Sequence, residues 1–187
     1  MILERVDNWQ VFFQGFAKCE ITSPRRSLER VRSVIPSTHV QLLRADRIAG
    51  KEHLISAARN AVRAFTQGQQ RAHGLAVELL LYASCQRQIS RAIQILGITN
   101  KTREIVLAIL RTESIDSSVP ESVAEVLRGS LDDSVLEIST KAKSSQLLKA
   151  FNVTKIELES SRLPNEGEPS VLKRLIIERS ALLSLEK

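Results

Sequence analysis

One short polar segment, residues 84–91, carries the side chains of this chain that are best suited to recognise a ligand by hydrogen bonding. Gln86 and Gln88 can each donate and accept hydrogen bonds, as the edges of nucleobases require. Arg87 and Arg91 add positive charge for phosphates and planar guanidinium groups for stacking. A helix that begins inside this segment would also point unpaired backbone N–H groups outward, which favours a bound phosphate. These residue types therefore indicate a site for a nucleotide or an RNA end.

A purely structural role for the same segment is the alternative, and the residues alone leave it open. Ser84 is a residue type that caps helices, while Gln86, Arg87 and Gln88 could simply be solvated. Aromatic residues make up only 4% of the chain, which excludes a binding surface built on rows of stacking rings. An RNA contact here would depend on arginine, amide and backbone groups.

Two apolar stretches flank the polar segment, and both are typical of helices. Residues 75–82 predict a buried helix, and residues 89–96 predict a short helix that ends at Gly97. Upstream, residues 51–67 place apolar side chains at helical spacing and predict a third helix.

The remaining elements complete a fold without strict alternation of strands and helices. In chain order, the patterns predict a strand or strand pair over 11–21, a helix over 23–37, a strand over 39–48, a central strand over 104–110, a helix over 120–127, a short strand over 135–138, a helix over 141–151, a surface loop over 160–170 and a final helix over 171–185. This mixture favours a single α+β domain, in which a small mixed or antiparallel sheet packs with helices.

The positive charge of the chain is concentrated in its first half. The net charge is +6, and residues 1–100 hold 14 Lys and Arg against 7 Asp and Glu, whereas residues 101–187 hold 13 against 14. Such asymmetry indicates an anionic partner that contacts one part of the fold. A basic surface that only aids solubility is the alternative explanation.

The motifs of several enzyme classes are missing from the sequence. There are 7 glycines and no glycine-rich phosphate loop or nucleophile elbow. Asp132 and Asp133 are adjacent, so their carboxylates do not face one another, and a turn or cap explains them better than catalysis. We therefore expect a protein that is not an enzyme and holds no cofactor.

The two cysteines and three histidines lack the spacing of a zinc site, so no metal is expected. The longest apolar stretch, residues 75–83, is interrupted by Glu78 and is far shorter than the roughly 20 residues of a membrane-spanning helix. The first residues lack the order of charged and apolar residues found in signal peptides. The expectation is a cytoplasmic protein, in which a bridge between Cys19 and Cys85 is disfavoured.

A resemblance to a known family changes the balance between these alternatives. The run Ala83-Ser84-Cys85-Gln86-Arg87-Gln88-Ile89 resembles the TPRKB-like subunit of the KEOPS complex, whose archaeal members carry a similar A-S-G-Q-R-Q-I run. Residues 41–46 leading into 51–54, and residues 129–138, agree with the same family. The resemblance covers residues 38–187 as a core and leaves 1–37 as a basic strand and helix segment, the two together forming one domain.

The resemblance implies a non-catalytic subunit with two partners. In that family, the subunit binds a small kinase-like ATPase (PRPK in animals) and the 3′ CCA end of tRNA. It thereby recruits tRNA for threonylcarbamoyl modification of an adenosine beside the anticodon. The other subunits handle ATP and the transferred group, so no membrane and no small-molecule substrate of its own is expected. The alternative is a regulator of the ATPase that binds only protein.

The resemblance and the residue types together assign candidate contacts. The expected tRNA contacts are Ser84, Cys85, Gln86, Arg87, Gln88 and Arg91, with Lys51, Arg59 and Arg63 lining an adjacent basic face if the helices pack side by side. The expected kinase contacts are Leu172, Leu175, Ile176 and Ile177, which belong to a broad apolar stripe on the last helix. Burial of that helix in the core is the alternative for the second group.

The chain departs from the family at Cys85, where the archaeal run has glycine. Glycine adopts positive φ freely, whereas another residue there costs on the order of 1 kcal/mol and brings a Cβ close to any ligand. Cys85 thus marks the position at which this loop is expected to differ from its relatives.

Overall fold

A computed structural model describes residues 2–35 and 39–185, and its centre is an antiparallel sheet. The strands are β1 (Ile2–Val6), β2 (Trp9–Ala17), β3 (His39–Arg44), β4 (Ile105–Arg111) and β5 (Ser130–Leu131). The order across the sheet is β1-β2-β4-β3, and β5 pairs with the last two residues of β2. The predicted α+β class is therefore confirmed.

Helices cover both faces of this sheet. They are α1 (Pro24–Val34), α2 (Lys51–Thr66), α3 (Leu75–Ser84), α4 (Ile89–Leu96), α5 (Val119–Leu127), α6 (Lys141–Ala150), α7 (Lys155–Ser160) and α8 (Glu168–Leu182). Within the described part of the chain, no helix combines the length and the apolar character needed to cross a membrane.

The alternation of side chains along β4 explains why helices pack on both faces of the sheet, which gives three layers. Val106 and Ala108 point to the face covered by α2, α3 and α4, while Ile105 and Leu107 point to the face covered by α1 and α5. Both sets are buried, so β4 reads as a continuous apolar run, as expected for a strand covered on both sides. A third apolar cluster joins α6, α7 and α8 beside this core.

The N-terminal segment is part of the sheet. β2 lies between β1 and β4, and Phe12 pairs with Ile109 in the middle of the sheet. The helix predicted over 23–37 is α1, although part of the predicted end lies outside the described residues.

Several predicted elements differ from the structure. Residues 135–138 do not form a strand: a 3₁₀ turn occupies Asp133–Leu136, and the short strand lies earlier, at Ser130–Leu131. The Asp132 side chain caps that turn by accepting a hydrogen bond from the Ser134 N–H at 2.9 Å, so the predicted capping role of this acidic pair is confirmed. The loop predicted over 160–170 is shorter, because α7 precedes it and α8 begins at Glu168. The strand Ile2–Val6 was not predicted.

Candidate functional site

The polar segment begins with a sharp reversal of the chain after α3. Cys85 has φ 53° and ψ 38°, in the left-handed region. Its N–H donates to the Tyr82 carbonyl at 3.1 Å, and the Gln86 N–H donates to the Leu81 carbonyl at 3.0 Å. These two bonds form the Schellman motif that usually ends on glycine. A left-handed residue is therefore required here, and this chain supplies it with cysteine at a cost of about 1 kcal/mol.

The Cys85 thiol is directed toward the backbone of α8. Its Sγ lies 3.5 Å from the Ile176 carbonyl oxygen, and burial raises the pKa of the thiol to about 12. The thiol consequently stays protonated at neutral pH. Cys19 is also buried, with its pKa raised to about 11 by burial, and both cysteines are free.

Ser84 has a different role from either one considered above. It is the last residue of α3, its side chain is buried, and its hydroxyl donates to the Leu81 carbonyl at 3.1 Å. It neither caps the following helix nor reaches the surface. Its assignment as a tRNA contact is wrong for this reason.

His53 is buried and supports the α3–α4 junction by a hydrogen bond to the end of α3. Its role was not predicted from the sequence. Its Nδ1 accepts from the Ala49 N–H at 3.2 Å, so its Nε2 carries the proton and donates to the Ala83 carbonyl at 2.8 Å. Burial lowers the pKa of this imidazole to about 4, which keeps the ring neutral. The spacing of His53, Ala57 and Ala61 at i, i+4 and i+8 is the sequence signal for a buried face that includes the histidine.

The segment from Gln86 to Arg91 is the accessible part of the site. Gln86 is half-buried, whereas Arg87, Gln88 and Arg91 are exposed. Helix α4 begins at Ile89, and no side chain caps its first N–H groups. The structure thus places the predicted amide and guanidinium groups together at the entrance of a helix.

Two concavities meet at Arg87. The first, here called the arginine cleft, has a volume of about 420 Å³, and its polar lining consists mainly of Asn60, Arg63, Gln67, Gln69, Arg71 and Arg87. The second, here called the junction pocket, has a volume of about 300 Å³ and is lined by Cys85, Gln86, Arg87, Gln88, Arg91 and Leu183. Among the described residues, no Asp or Glu lines either of them. Their chemistry suits an anion with hydrogen-bonding groups.

A buried carboxylate fixes the backbone at Arg71, which lines the arginine cleft. Glu78 is fully buried, and its Oε2 accepts hydrogen bonds from the N–H groups of Arg71 at 2.9 Å and Ala72 at 2.8 Å. The Arg71 guanidinium also donates to the Leu183 carbonyl at 2.7 Å. Arg71 is thus held in the cleft by two distant elements, and sequence reasoning missed it because neither contact leaves a local pattern.

Of the three basic residues expected beside the segment, only Arg63 joins it. Arg59 instead makes an ion pair with Glu4 of β1 at 2.5 Å. Lys51 is the first residue of α2 and lies roughly 18 Å along the helix axis from Arg63. Of the predicted basic face, the structure thus brings only Arg63 to the junction, and tRNA contacts by Lys51 and Arg59 stay predictions.

The last helix does not offer the predicted apolar surface. Leu172 and Ile176 are fully buried and Leu175 is nearly so, all within the cluster that α6, α7 and α8 form. Only Ile177 of the predicted kinase contacts is partly exposed. The expected exposure of this stripe is thus wrong for the first three residues, because two helices from the preceding segment cover it.

Among the described residues, no three or more His, Cys, Asp or Glu side chains form a group that could hold a metal ion.

Comparison with known proteins identifies the family. The sequence profile of the family described as kinase binding protein CGI-121 matches residues 20–184. Regulatory protein Cgi121 of Methanocaldococcus jannaschii is 29% identical over 147 residues, which cover 79% of this chain and 84% of that protein. The family match begins at Glu20, so it includes α1, which the resemblance described above left unplaced. The chain belongs to the CGI-121 family of kinase binding proteins.

Proposed function

We propose that this protein is a non-catalytic KEOPS subunit that binds the kinase-like ATPase and holds the 3′ CCA end of tRNA. The observation that carries the RNA half is the meeting of the arginine cleft and the junction pocket at Arg87, lined by guanidinium and amide groups. The kinase half is supported by the family, whose description is a kinase binding protein.

The size and lining of the two concavities favour a strand end over a duplex. Ligand pockets typically measure about 300–1,000 Å³, and these two lie within that range. A helical stem is too wide to enter them, whereas an unpaired end can insert separate bases and phosphates. Gln86 and Gln88 can pair with exposed base edges, and Arg63 and Arg87 can contact phosphates. The CCA end is the unpaired end that all mature tRNAs share.

The partners would perform the chemistry in this proposal. The subunit fixes the 3′ end of the tRNA, and this anchoring positions the anticodon stem at the catalytic subunit. A binding subunit of this kind contributes proximity and orientation, and it needs no reacting group of its own.

The test is a gel-shift titration of the isolated protein with intact tRNA and with tRNA lacking CCA. We expect Arg87→Glu to weaken binding of intact tRNA by about tenfold or more, because it removes a cationic contact and adds repulsion. Removal of CCA should weaken binding by the wild-type protein by a similar factor. Binding should also weaken steeply with added salt, as phosphate contacts require.

Arg128→Glu is the matched control, because it makes the same charge change at an exposed position directly after α5, on the other face of the sheet. It should leave tRNA affinity within about twofold, as expected for a charge away from the site. Equal affinity of wild-type protein for trimmed and intact tRNA would refute the proposed contact with CCA. Absence of tRNA binding at low salt would instead favour the alternative, a regulator that binds only the ATPase.

A further inference from the structure

A second concavity of different character lies on the other side of α4. It is a groove of about 410 Å³ between α1, β3, α3 and α4, here called the apolar groove. Its lining includes Leu28 of α1, Leu42 of β3, Val77 and Leu80 of α3, and Ile89 and Ile93 of α4. The groove is open to solvent, although most of the side chains that line it are aliphatic.

Helix α4 presents isoleucines to this groove beyond what its own packing requires. Ala92 and Leu96 bury the helix against the core, whereas Ile89 is 45% exposed and Ile93 is 53% exposed. Ser90 and Gln94 on the same helix show that polar side chains are compatible with its surface. The two isoleucines and the neighbouring apolar lining form a continuous patch of the kind that marks protein interfaces.

The charges around the groove define the partner it would accept. Arg25 and Arg32 of α1 line it, and no Asp or Glu of the described chain does. Arg25 pairs with Glu29 at 2.9 Å in an exposed i, i+4 contact, and Arg32 donates to the Val40 carbonyl at 3.3 Å. The exposed Arg25–Glu29 pair contributes little, so Arg25 can exchange it for a partner's carboxylate. Arg32 uses one guanidinium nitrogen for the Val40 carbonyl and has further N–H donors for a partner's carboxylate. The complementary ligand is an apolar helix flanked by Asp or Glu.

We propose that the apolar groove is the docking site for an amphipathic helix of the kinase partner. Apolar residues of that helix, spaced three or four positions apart, would pack on Ile89 and Ile93. Acidic residues beside them would meet Arg25 and Arg32. This inference rests on the proposed function, namely that this chain binds a kinase.

The geometry of α4 allows both partners to bind at once. At about 100° per residue, Arg91 lies roughly 160–200° around the helix from Ile89 and Ile93. The junction pocket and the apolar groove therefore lie on opposite sides of one short helix. An RNA strand suits the groove poorly, because its mostly aliphatic lining offers few hydrogen-bond partners for base edges.

The experiment measures binding of the full-length protein to the purified kinase-like ATPase subunit by titration calorimetry. The double variant Ile89→Glu, Ile93→Glu places two carboxylates in the groove, where they repel an acidic ligand and remove apolar contact. We expect its affinity for the kinase to fall by about tenfold or more. Because both side chains are about half exposed, we expect the variant to fold, and thermal unfolding checks this.

The control is the double variant Ser90→Glu, Gln94→Glu, which adds the same charge to α4 outside the groove. It should bind the kinase within about twofold of the wild-type protein. Arg32→Glu is a second variant on the rim and should also weaken kinase binding, without touching the isoleucines.

The outcomes separate this inference from the proposed function. If the wild-type protein binds the kinase and the isoleucine variant binds it equally well, the groove is not the docking site. If the wild-type protein does not bind the kinase at all, both the groove assignment and the kinase half of the proposed function fail. If the isoleucine variant keeps kinase binding but loses tRNA in the gel shift, the groove is an RNA surface and the inference is overturned.

Discussion

The α3–α4 junction and helix α8 make an instructive comparison, because residue types and the family resemblance together predicted a binding surface at both. At the junction, Arg87, Gln88 and Arg91 are exposed, as a binding site requires. In α8, by contrast, Leu172 and Ile176 are fully buried beneath α6 and α7. Exposed polar groups can be lost without loss of the fold, whereas buried apolar groups cannot. Substitutions in the two regions should therefore separate binding from stability.

The largest effect is expected from Ile176→Arg. The Ile176 side chain is fully buried, so arginine would place an unpaired charge and excess volume in the cluster of α6, α7 and α8. We expect a loss of at least about 4 kcal/mol in the free energy of unfolding, enough to unfold a marginally stable domain. Urea denaturation followed by circular dichroism measures it.

Ile177→Arg is the matched control, because its neighbour on α8 is partly exposed and can direct a guanidinium to solvent. It should cost less than about 1 kcal/mol. A folded Ile176→Arg protein with wild-type stability would show that α8 is not packed as described, and it would restore this helix as a candidate kinase contact.

The second-largest effect on stability is expected at His53, which contacts both compared regions, Ala83 at the junction and Phe151 in the α8 cluster. Its imidazole donates to the Ala83 carbonyl, and its ring centre lies 5.7 Å from that of Phe151 in the α8 cluster. Burial lowers the pKa of His53 to about 4 in the folded protein, whereas an unfolded histidine has a pKa of about 6.5. The stabilisation is therefore complete above about pH 6.5 and is lost as the pH falls towards about 4.

Between pH 7.5 and pH 5, this linkage should lower the free energy of unfolding by about 2 kcal/mol. Urea denaturation at the two pH values measures the difference. The His53→Gln variant should be less stable at pH 7.5 but should lose less stability on acidification than the wild-type protein. An equal loss in both proteins would assign the pH dependence to other groups.

The sequence predicts the elements around the junction well because their signals are local. The helices on either side follow from the apolar stretches 75–82 and 89–96, and the cysteine at a glycine position of the family follows from the resemblance. The left-handed backbone of Cys85 agrees with that reasoning. Three of the predicted contacts, Arg87, Gln88 and Arg91, consequently lie on the surface beside one another.

Most of the differences have a common physical cause, since they depend on contacts between residues distant in the chain; Ser84, which bonds to Leu81, is the local case. Arg59 makes an ion pair with Glu4 of β1, and the apolar stripe of α8 is covered by α6 and α7. The strand Ser130–Leu131 exists only because it pairs with Phe16 and Ala17 of β2. Two paired residues are too few to show a periodic pattern. The strand was therefore predicted at the apolar residues that follow, 135–138.

The smallest effect tests whether Cys85 makes the junction differ from its relatives. Cys85→Gly relieves the strain of a left-handed residue, while it removes the buried thiol contact with the Ile176 carbonyl and increases the freedom of the unfolded chain. These contributions oppose each other, so its stability should lie within about 1 kcal/mol of the wild-type value.

Cys85→Ala is the control, because it loses the thiol contact and keeps the strain. The glycine variant should therefore be more stable than the alanine variant by about 1 kcal/mol in urea denaturation, since that difference isolates the backbone contribution. Because the Cys85 thiol contacts the Ile176 carbonyl and neither variant changes a charge in the junction pocket, both variants should retain tRNA affinity. A glycine variant less stable than the alanine variant would show that the strain at residue 85 is smaller than the entropy that glycine adds to the unfolded chain, against this prediction.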